Sequence, residues 1–156
     1  MGKAIVVLVA IHARGATEIR HILLSDLDRT RGRLVVRRGG RRHTIILDEL
    51  TTVVLTDWLR ERWRRWPHST NPHLFITQMT AHDPSGPPMS QYAYQRIFRK
   101  IGPQPSKLRS DRFLDEAHET EDPIHLMRVF GISDATAMKY LQAAHPHPFK
   151  QDPTQA

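Results

Sequence analysis

The chain has 156 residues, enough for one well-buried domain and too few for two comfortable ones. Apolar residues make up 39% and charged residues 25%, which places it among ordinary globular proteins and excludes a disordered or fibrous chain. Lys and Arg outnumber Asp and Glu by 23 to 16, a net charge of +7, and the absence of cysteine excludes disulfides, thiolate nucleophiles and cysteine-based zinc sites. The excess is mostly arginine, whose planar fork suits phosphate, and it is clustered, so a polyanionic partner is expected. A cysteine-free chain of this kind fits the cytoplasm.

The first apolar run, Ala4 to Ile11, is far too short to span a bilayer and lacks a cleavage site, so no membrane association is expected. It reads as a buried helix, apolar on all sides. A second helix follows from about Thr17 to Leu24, capped by Thr17, with Glu18 in its first turn and Ile19, Ile22 and Leu23 inward. Ser25 to Asp28 reads as an exit loop. Arg33–Arg37 and His43–Leu47 read as two strands joined by Arg38-Gly39-Gly40-Arg41, where Gly-Gly supplies the positive φ of a tight turn. Seven arginines fall between Arg29 and Arg42 with no acid among them. A solvated strand edge needs less charge than that, so Arg33, Arg37, Arg41 and Arg42 are expected to meet phosphate.

Asp48 caps a long helix from Glu49 to about Trp66, with Leu50, Val54 and Trp58 on one line and Leu55, Leu59 and Trp63 on another. Its last turns are basic, which already suits the helix dipole. Leu74 to Thr77 reads as a short buried strand, and Asp83 to Pro88 as a loop. Ser90 caps a helix ended by Gly102-Pro103, and Ser106 caps the next, Lys107 to about His118. Asp122-Pro123 starts Ile124–Phe130, and Ser133 caps a last helix through Ala144. Residues 1–145 form the expected domain and 146–156, rich in proline, a flexible tail. The fold class is mostly α with a small β-hairpin, α+β.

Two constellations carry chemistry. Tyr140, Arg109 and Arg112, with an arginine of the first half, suit metal-free attack on a phosphodiester. The phenol is a weak nucleophile, and guanidinium forks stabilise charge growing on the phosphate oxygens. Arg109 and Arg112, at i and i+3, share a helix face. The bland reading of that pair is surface arginines bridged to the six acids between Asp111 and Asp122. The second constellation is Leu126–Leu141 as a helix-turn-helix, with Phe130, Ile132 and Leu141 in the core and Asp134, Ala135, Thr136 and Lys139 projecting toward a groove. There Tyr140 is packing or a phosphate contact. No metal is expected, because none of the ten histidines forms an i,i+4 helical pair, and no cofactor is expected, because no phosphate-cradling glycine loop opens a helix.

With these residues in place, the chain resembles the catalytic domain of the tyrosine recombinases, the phage-integrase family. Glu18 to Asp28 is similar to the helix and acidic exit loop after that family's first catalytic arginine. Arg33 to Leu47 is similar to the hairpin that carries its catalytic lysine, and Arg109-Ser110-Asp111-Arg112 stands where its His-x-x-Arg motif belongs. Val129 to Ile132, Thr136 and Tyr140 resemble its Leu-Gly-His segment and nucleophilic tyrosine. The resemblance implies a catalytic set of Tyr140, Arg112, Arg14, Arg38 and Arg109. It departs from the pattern at several points. Gly15 falls where the first arginine belongs, with Arg14 one residue early. Arg38 replaces the lysine, Arg109 the histidine of His-x-x-Arg, and Gly131 or Ile132 the next histidine.

The leading expectation is therefore a recombinase-like domain that binds double-stranded DNA for site-specific recombination or integration, with eroded catalysis and room for several copies on the DNA. The family's N-terminal DNA-clamping domain has no counterpart in these residues, which fits a fragment of a longer recombinase or a stand-alone relative. The alternative is a non-enzymatic helix-turn-helix regulator with Thr136 and Lys139 as readers. A third reading sets the basic hairpin against an acidic protein.

Overall fold

In the computed structural model, which describes residues 1–147, the first apolar run is a helix, α1 (Gly2–Ala10), with Ala4, Ile5, Leu8 and Val9 buried. Its remaining side is half-covered, not enclosed as the all-round apolarity predicts. Helix α2 (Ala16–Arg20) is short. Its cap is Gly15, whose amide donates to Glu18 Oε2 at 2.7 Å, and not Thr17, which lies inside the helix and is exposed. The carboxylate of Glu18, in the first turn, thus satisfies the cap amide in place of a threonine hydroxyl.

The expected exit loop is ordered. Leu24–Asp26 forms one 3-10 turn, and Leu27–Asp28 is a short strand, β1, paired antiparallel with β2 (Arg33–Arg38). Strand β3 (Arg41–Ile46) completes a three-stranded sheet in the order β1-β2-β3. The turn between β2 and β3 is made by Gly39 (φ 53°) and Gly40 (φ 78°), the left-handed pair that a two-residue hairpin needs. Leu34, Val36 and Ile45 face the core, and Leu34 stands opposite Ile45 in the ladder.

Asp48 caps α3 (Glu49–Arg65) by accepting from the Thr51 amide. Leu55, Trp58 and Leu59 are buried, but Leu50 and Trp63 are more than half exposed, so the first predicted line is core only at its end, Trp58, and the second only at Leu55 and Leu59. Arg62, in the basic last turns, is fully buried. The buried run Leu74-Phe75-Ile76 is not the predicted strand. A single bridge pairs Leu23 with His73, and the run then turns into α4 (Gln78–Ala81). Side chains replace the ladder there. The Trp58 indole donates to Leu74 O at 2.9 Å, and the Arg62 guanidinium to Asn71 O at 2.7 Å and His73 O at 3.0 Å.

Helix α5 (Gln91–Ile101) is capped by Ser90 and ends at Gly102. Helix α6 (Pro105–Glu119) starts two residues before the expected Lys107. Its cap is Gln104, with Pro105 at the first turn and Ser106 inside the helix. A proline with φ already fixed for helix displaces the serine. Helix α7 (Pro123–Phe130) and helix α8 (Asp134–Ala144) flank Gly131, which is left-handed at φ 64°. Two cores result. One joins α1, the sheet, α3 and α5. The other holds Phe113, Leu126, Phe130, Ile132 and Leu141 from α6 to α8, together with Ala13 from the α1–α2 connection. The expected tail lies almost wholly outside the described residues.

Candidate functional site

The segment Ile11–Gly15 joins the two cores, and the arginines of interest gather around it. Ala13 is buried with φ 53°, a left-handed conformation that costs a non-glycine residue about 1–3 kcal/mol. The twist presents two carbonyls to α6: Arg112 Nε donates to Ile11 O at 3.0 Å and Arg109 Nε to Ala13 O at 2.8 Å.

Arg14 follows and points inward, with only 2% of it exposed. Its Nε donates to His12 O at 2.6 Å, Nη1 to Glu18 Oε1 at 3.2 Å and Nη2 to Phe130 O at 2.6 Å. The buried Glu18 carboxylate faces it. Burial lowers the Arg14 pKa, Glu18 opposes that, and the nearby Arg109 and Arg38 charges add to the lowering. Arg14 and Arg109, from the connection and from α6, thus both bond to carbonyls of this segment. Gly15 sits against Arg109, whose Cζ lies 3.5 Å from the place a Cβ would take. A cleft of about 430 Å³ opens beside them, lined by Gly15, Tyr94, Gln95, Ser106 and Arg109. Burial pushes the Tyr94 phenol in its wall up to about 12.

Arg112 shares the helix face of Arg109 but has a different set of partners. Its Nη2 pairs with Glu116 at 2.8 Å, and Glu116 also meets His125 at 2.7 Å. The histidine hydrogen bond, then Arg112, hold the Glu116 carboxyl below its ordinary value. Tyr140 on α8 leans on the Phe113 ring at 5.1 Å, and its hydroxyl donates to Ser110 Oγ at 3.3 Å. The tyrosine hydroxyl is thus at Ser110, one position along α6 from Arg109, while the Arg112 guanidinium is held by Ile11 and Glu116.

On the sheet, the register sets Arg37 opposite Arg42 and Arg38 opposite Arg41. Arg37 is clamped by both carboxylate oxygens of the buried Asp26. Arg38, Arg41 and Arg42 are exposed and have no ion-pair partner among the described residues. Arg33 lies at the other end of β2, about 17 Å from Arg38 at strand rise, in register with Ile46. Thr136 is half-buried and Lys139 exposed on α8. The Thr136 amide is held by the Ser133 cap, and Lys139 lies over the Tyr140 ring at 5.7 Å.

Sequence reasoning passed over three groups here. Glu18 was visible through its four-residue spacing from Arg14. His43 on β3 had no local signal. Its ring covers Gly131, where a Cβ would lie 2.7 Å from Cγ, and its Nε2 is 3.3 Å from Val129 O. Burial, then Arg14, lowers its pKa. His12 pairs with Asp48 and Thr51 through Nε2, each at 3.0 Å, and burial again outweighs the carboxylate to lower its pKa. Among the described residues no group of three or more His, Asp or Glu side chains is placed to hold a metal ion, and no helix is long and apolar enough to cross a membrane.

No family profile matches the chain, and no curated protein matches it in sequence. Solved structures do match its shape. The XerA recombinase superposes with a TM-score of 0.73 at 19% identity over 97% of this chain and 59% of that one. XerH site-specific recombinase bound to palindromic difH substrate, in a post-cleavage complex, gives 0.69 at 18% identity over 94% and 43%. The Tn1549 transposon integrase in complex with circular intermediate DNA gives 0.61 at 15% identity over 96% and 57%. The chain has a tyrosine-recombinase catalytic-domain-like fold and spans between 43% and 59% of the length of these proteins.

Proposed function

We propose that this recombinase-like domain binds duplex DNA across the hairpin tip and the adjoining face of α6 and α8, in site-specific recombination or integration, with an eroded catalytic centre. The observation that carries the reading is the cluster of exposed arginines without ion-pair partners among the described residues at the hairpin tip, Arg38, Arg41 and Arg42, in a fold of this type. Like charges directly opposite in a sheet repel, and Arg38–Arg41 has no carboxylate to relieve it among the described residues. A phosphate between them would remove the repulsion and gain charge-assisted hydrogen bonds. Arg37 is different. Its fork is already taken by Asp26, so its role is to brace the hairpin, and Arg33 lies too far along the strand to share the same phosphate.

If strand cleavage survives, the Tyr140 oxygen attacks phosphorus, a phosphotyrosyl bond forms and a DNA hydroxyl leaves. Arg109 and Arg38 are the accessible cations for the non-bridging oxygens. Arg14, with three of its donor bonds spent inside the protein, holds the site's shape, and Arg112 does so through Glu116. Among the described residues the Tyr140 hydroxyl has no hydrogen bond to an acid–base side chain. Tyr140 hydrogen-bonds a serine, which cannot take its proton at neutral pH, and Arg38 cannot give one up. Each missing group costs a factor of about a hundred or more.

A duplex nicked near the attack point tests the reaction by trapping the covalent protein–DNA adduct. A weak adduct that disappears in Tyr140→Phe supports retained chemistry. An adduct that persists in Tyr140→Phe removes Tyr140 from the mechanism. DNA binding with no adduct favours the second reading, a non-enzymatic regulator. That reading draws on the exposure of Asp134 and Ala135 at the start of α8 and of Lys139 at its middle, positions a recognition helix would use. It requires Thr136→Ala and Lys139→Ala to weaken sequence preference.

A further inference from the structure

On α5, the side turned away from the arginine cleft closes a second groove. Its floor is apolar and comes from three helices: Val6 and Val7 of α1, Leu50 and Val54 of α3, and Ile97 and Ile101 of α5. The groove is open and about 720 Å³ in volume. Leu50 is 54% exposed and Ile101 46%, and Val53 beside Leu50 on α3 is 50% exposed. Isolated exposed apolar residues need no explanation, but a contiguous row in a concave surface does.

Its rim carries one sign of charge. Lys3, Arg96 and Lys100 line it, and none has an ion-pair partner among the described residues. Helices α1 and α5 contain no acid at all, and on α3 the nearest acid in sequence, Glu49, is not part of the lining. Arg96 and Lys100 are one helical turn apart, so like charges repel along the rim and an incoming anion is favoured. DNA alone would leave the apolar floor wet, because duplex phosphates offer nothing to cover it.

We propose that this groove docks an amphipathic helix of a protein partner, its apolar stripe on Val6, Leu50, Val54, Ile97 and Ile101 and its flanking Asp or Glu residues on Lys3, Arg96 and Lys100. Helix-in-groove docking uses just this division: an apolar floor supplies affinity and rim charges set partner choice and orientation. The surface is separate from the arginine cleft, so the partner and the nucleic acid are expected to bind together.

The test uses the full chain and a fluorescent synthetic peptide of about 18 residues, long enough to hold a helix. The peptide carries Leu at i, i+3, i+4 and i+7 with Glu on both flanks. Saturable binding is expected by anisotropy, at least about tenfold weaker in the double variant Arg96→Glu, Lys100→Glu, and lost in Leu50→Asp. A Lys-flanked counterpart peptide is expected not to bind. The altered side chains are exposed or on the rim, and equal melting temperatures of the variants guard against misfolding. No saturable binding, equal binding to the double variant, or equal binding of a scrambled Leu/Glu peptide overturns the proposal. So does concentration-dependent self-association of the chain that the peptide displaces, which gives the groove to a second copy. Displacement of the peptide by duplex DNA overturns it as well.

Discussion

At the residue scale, the chain's most consequential decision is which arginines turn inward. Arg14 spends its donors on Glu18, His12 and Phe130, and so ties the α1–α2 connection to the end of α7. Arg14→Met strands the buried Glu18 carboxylate and two carbonyls, and is expected to cost about 3–5 kcal/mol in chemical denaturation. Burial lowers the pKa of His12 and His43 below the ordinary 6.5. Each is held neutral in the folded state, so its contribution to stability is complete above about pH 6.5 and is lost as pH falls through its folded value. Melting temperature is expected to fall between pH 7 and pH 5, and less steeply in His43→Gln. An unchanged slope in that variant would mean that His43 does not titrate differently in the two states. Little of this was legible in the sequence. Arg14 and Glu18 are four residues apart, with Arg14 ahead of the helix that holds Glu18. Spacing does not say that a guanidinium will be taken into a core, because that depends on carbonyls of residues far along the chain, as for Arg62 with Asn71 and His73.

At the scale of elements, local chemistry decided what could be read. Gly39-Gly40 can take the positive φ that a tight turn needs, so the hairpin was legible, while its strands reach closer to the turn, Arg33–Arg38 and Arg41–Ile46, than the expected Arg33–Arg37 and His43–Leu47. The Asp48, Ser90, Asp122 and Ser133 caps likewise sit where hydroxyl and carboxylate side chains meet free amides. Leu74–Ile76 has the composition of a buried strand. It pairs only through the Leu23–His73 bridge beside it, with Leu74 O taken by the Trp58 indole and the preceding carbonyls of Asn71 and His73 by Arg62. Gly131 is the hinge point of the second core. Its φ of 64° and the His43 ring against it both exclude a side chain, so Gly131→Ala is expected to cost about 1–3 kcal/mol in a denaturant titration. The double variant Gly131→Ala, His43→Ala separates the two causes. It should recover the steric part and leave the backbone part. Recovery of the whole loss would mean that the left-handed conformation carries no cost here.

For the whole molecule, the order of motifs along the chain pointed to the fold, and the superposition on recombinase structures agrees with it. The arrangement of the centre was less legible, since it depends on how two cores meet at Ile11–Gly15. Sequence spacing pairs Arg109 with Arg112 on one face of α6. In the folded chain Arg109 bonds Ala13 O next to Arg14, and Arg112 is engaged with Ile11 O and Glu116. The central claim is that the hairpin tip is a phosphate-binding surface of a DNA-binding domain. The salt dependence of duplex binding tests it most directly, compared between the native chain and the triple variant Arg38→Ala, Arg41→Ala, Arg42→Ala. The predicted result is native binding at low salt whose log K falls with log[salt], and a slope shallower by about 2–3 in the triple variant, since each phosphate contact contributes about 0.9. Equal slopes for the two proteins, or no duplex binding by the native chain at low salt, would contradict it.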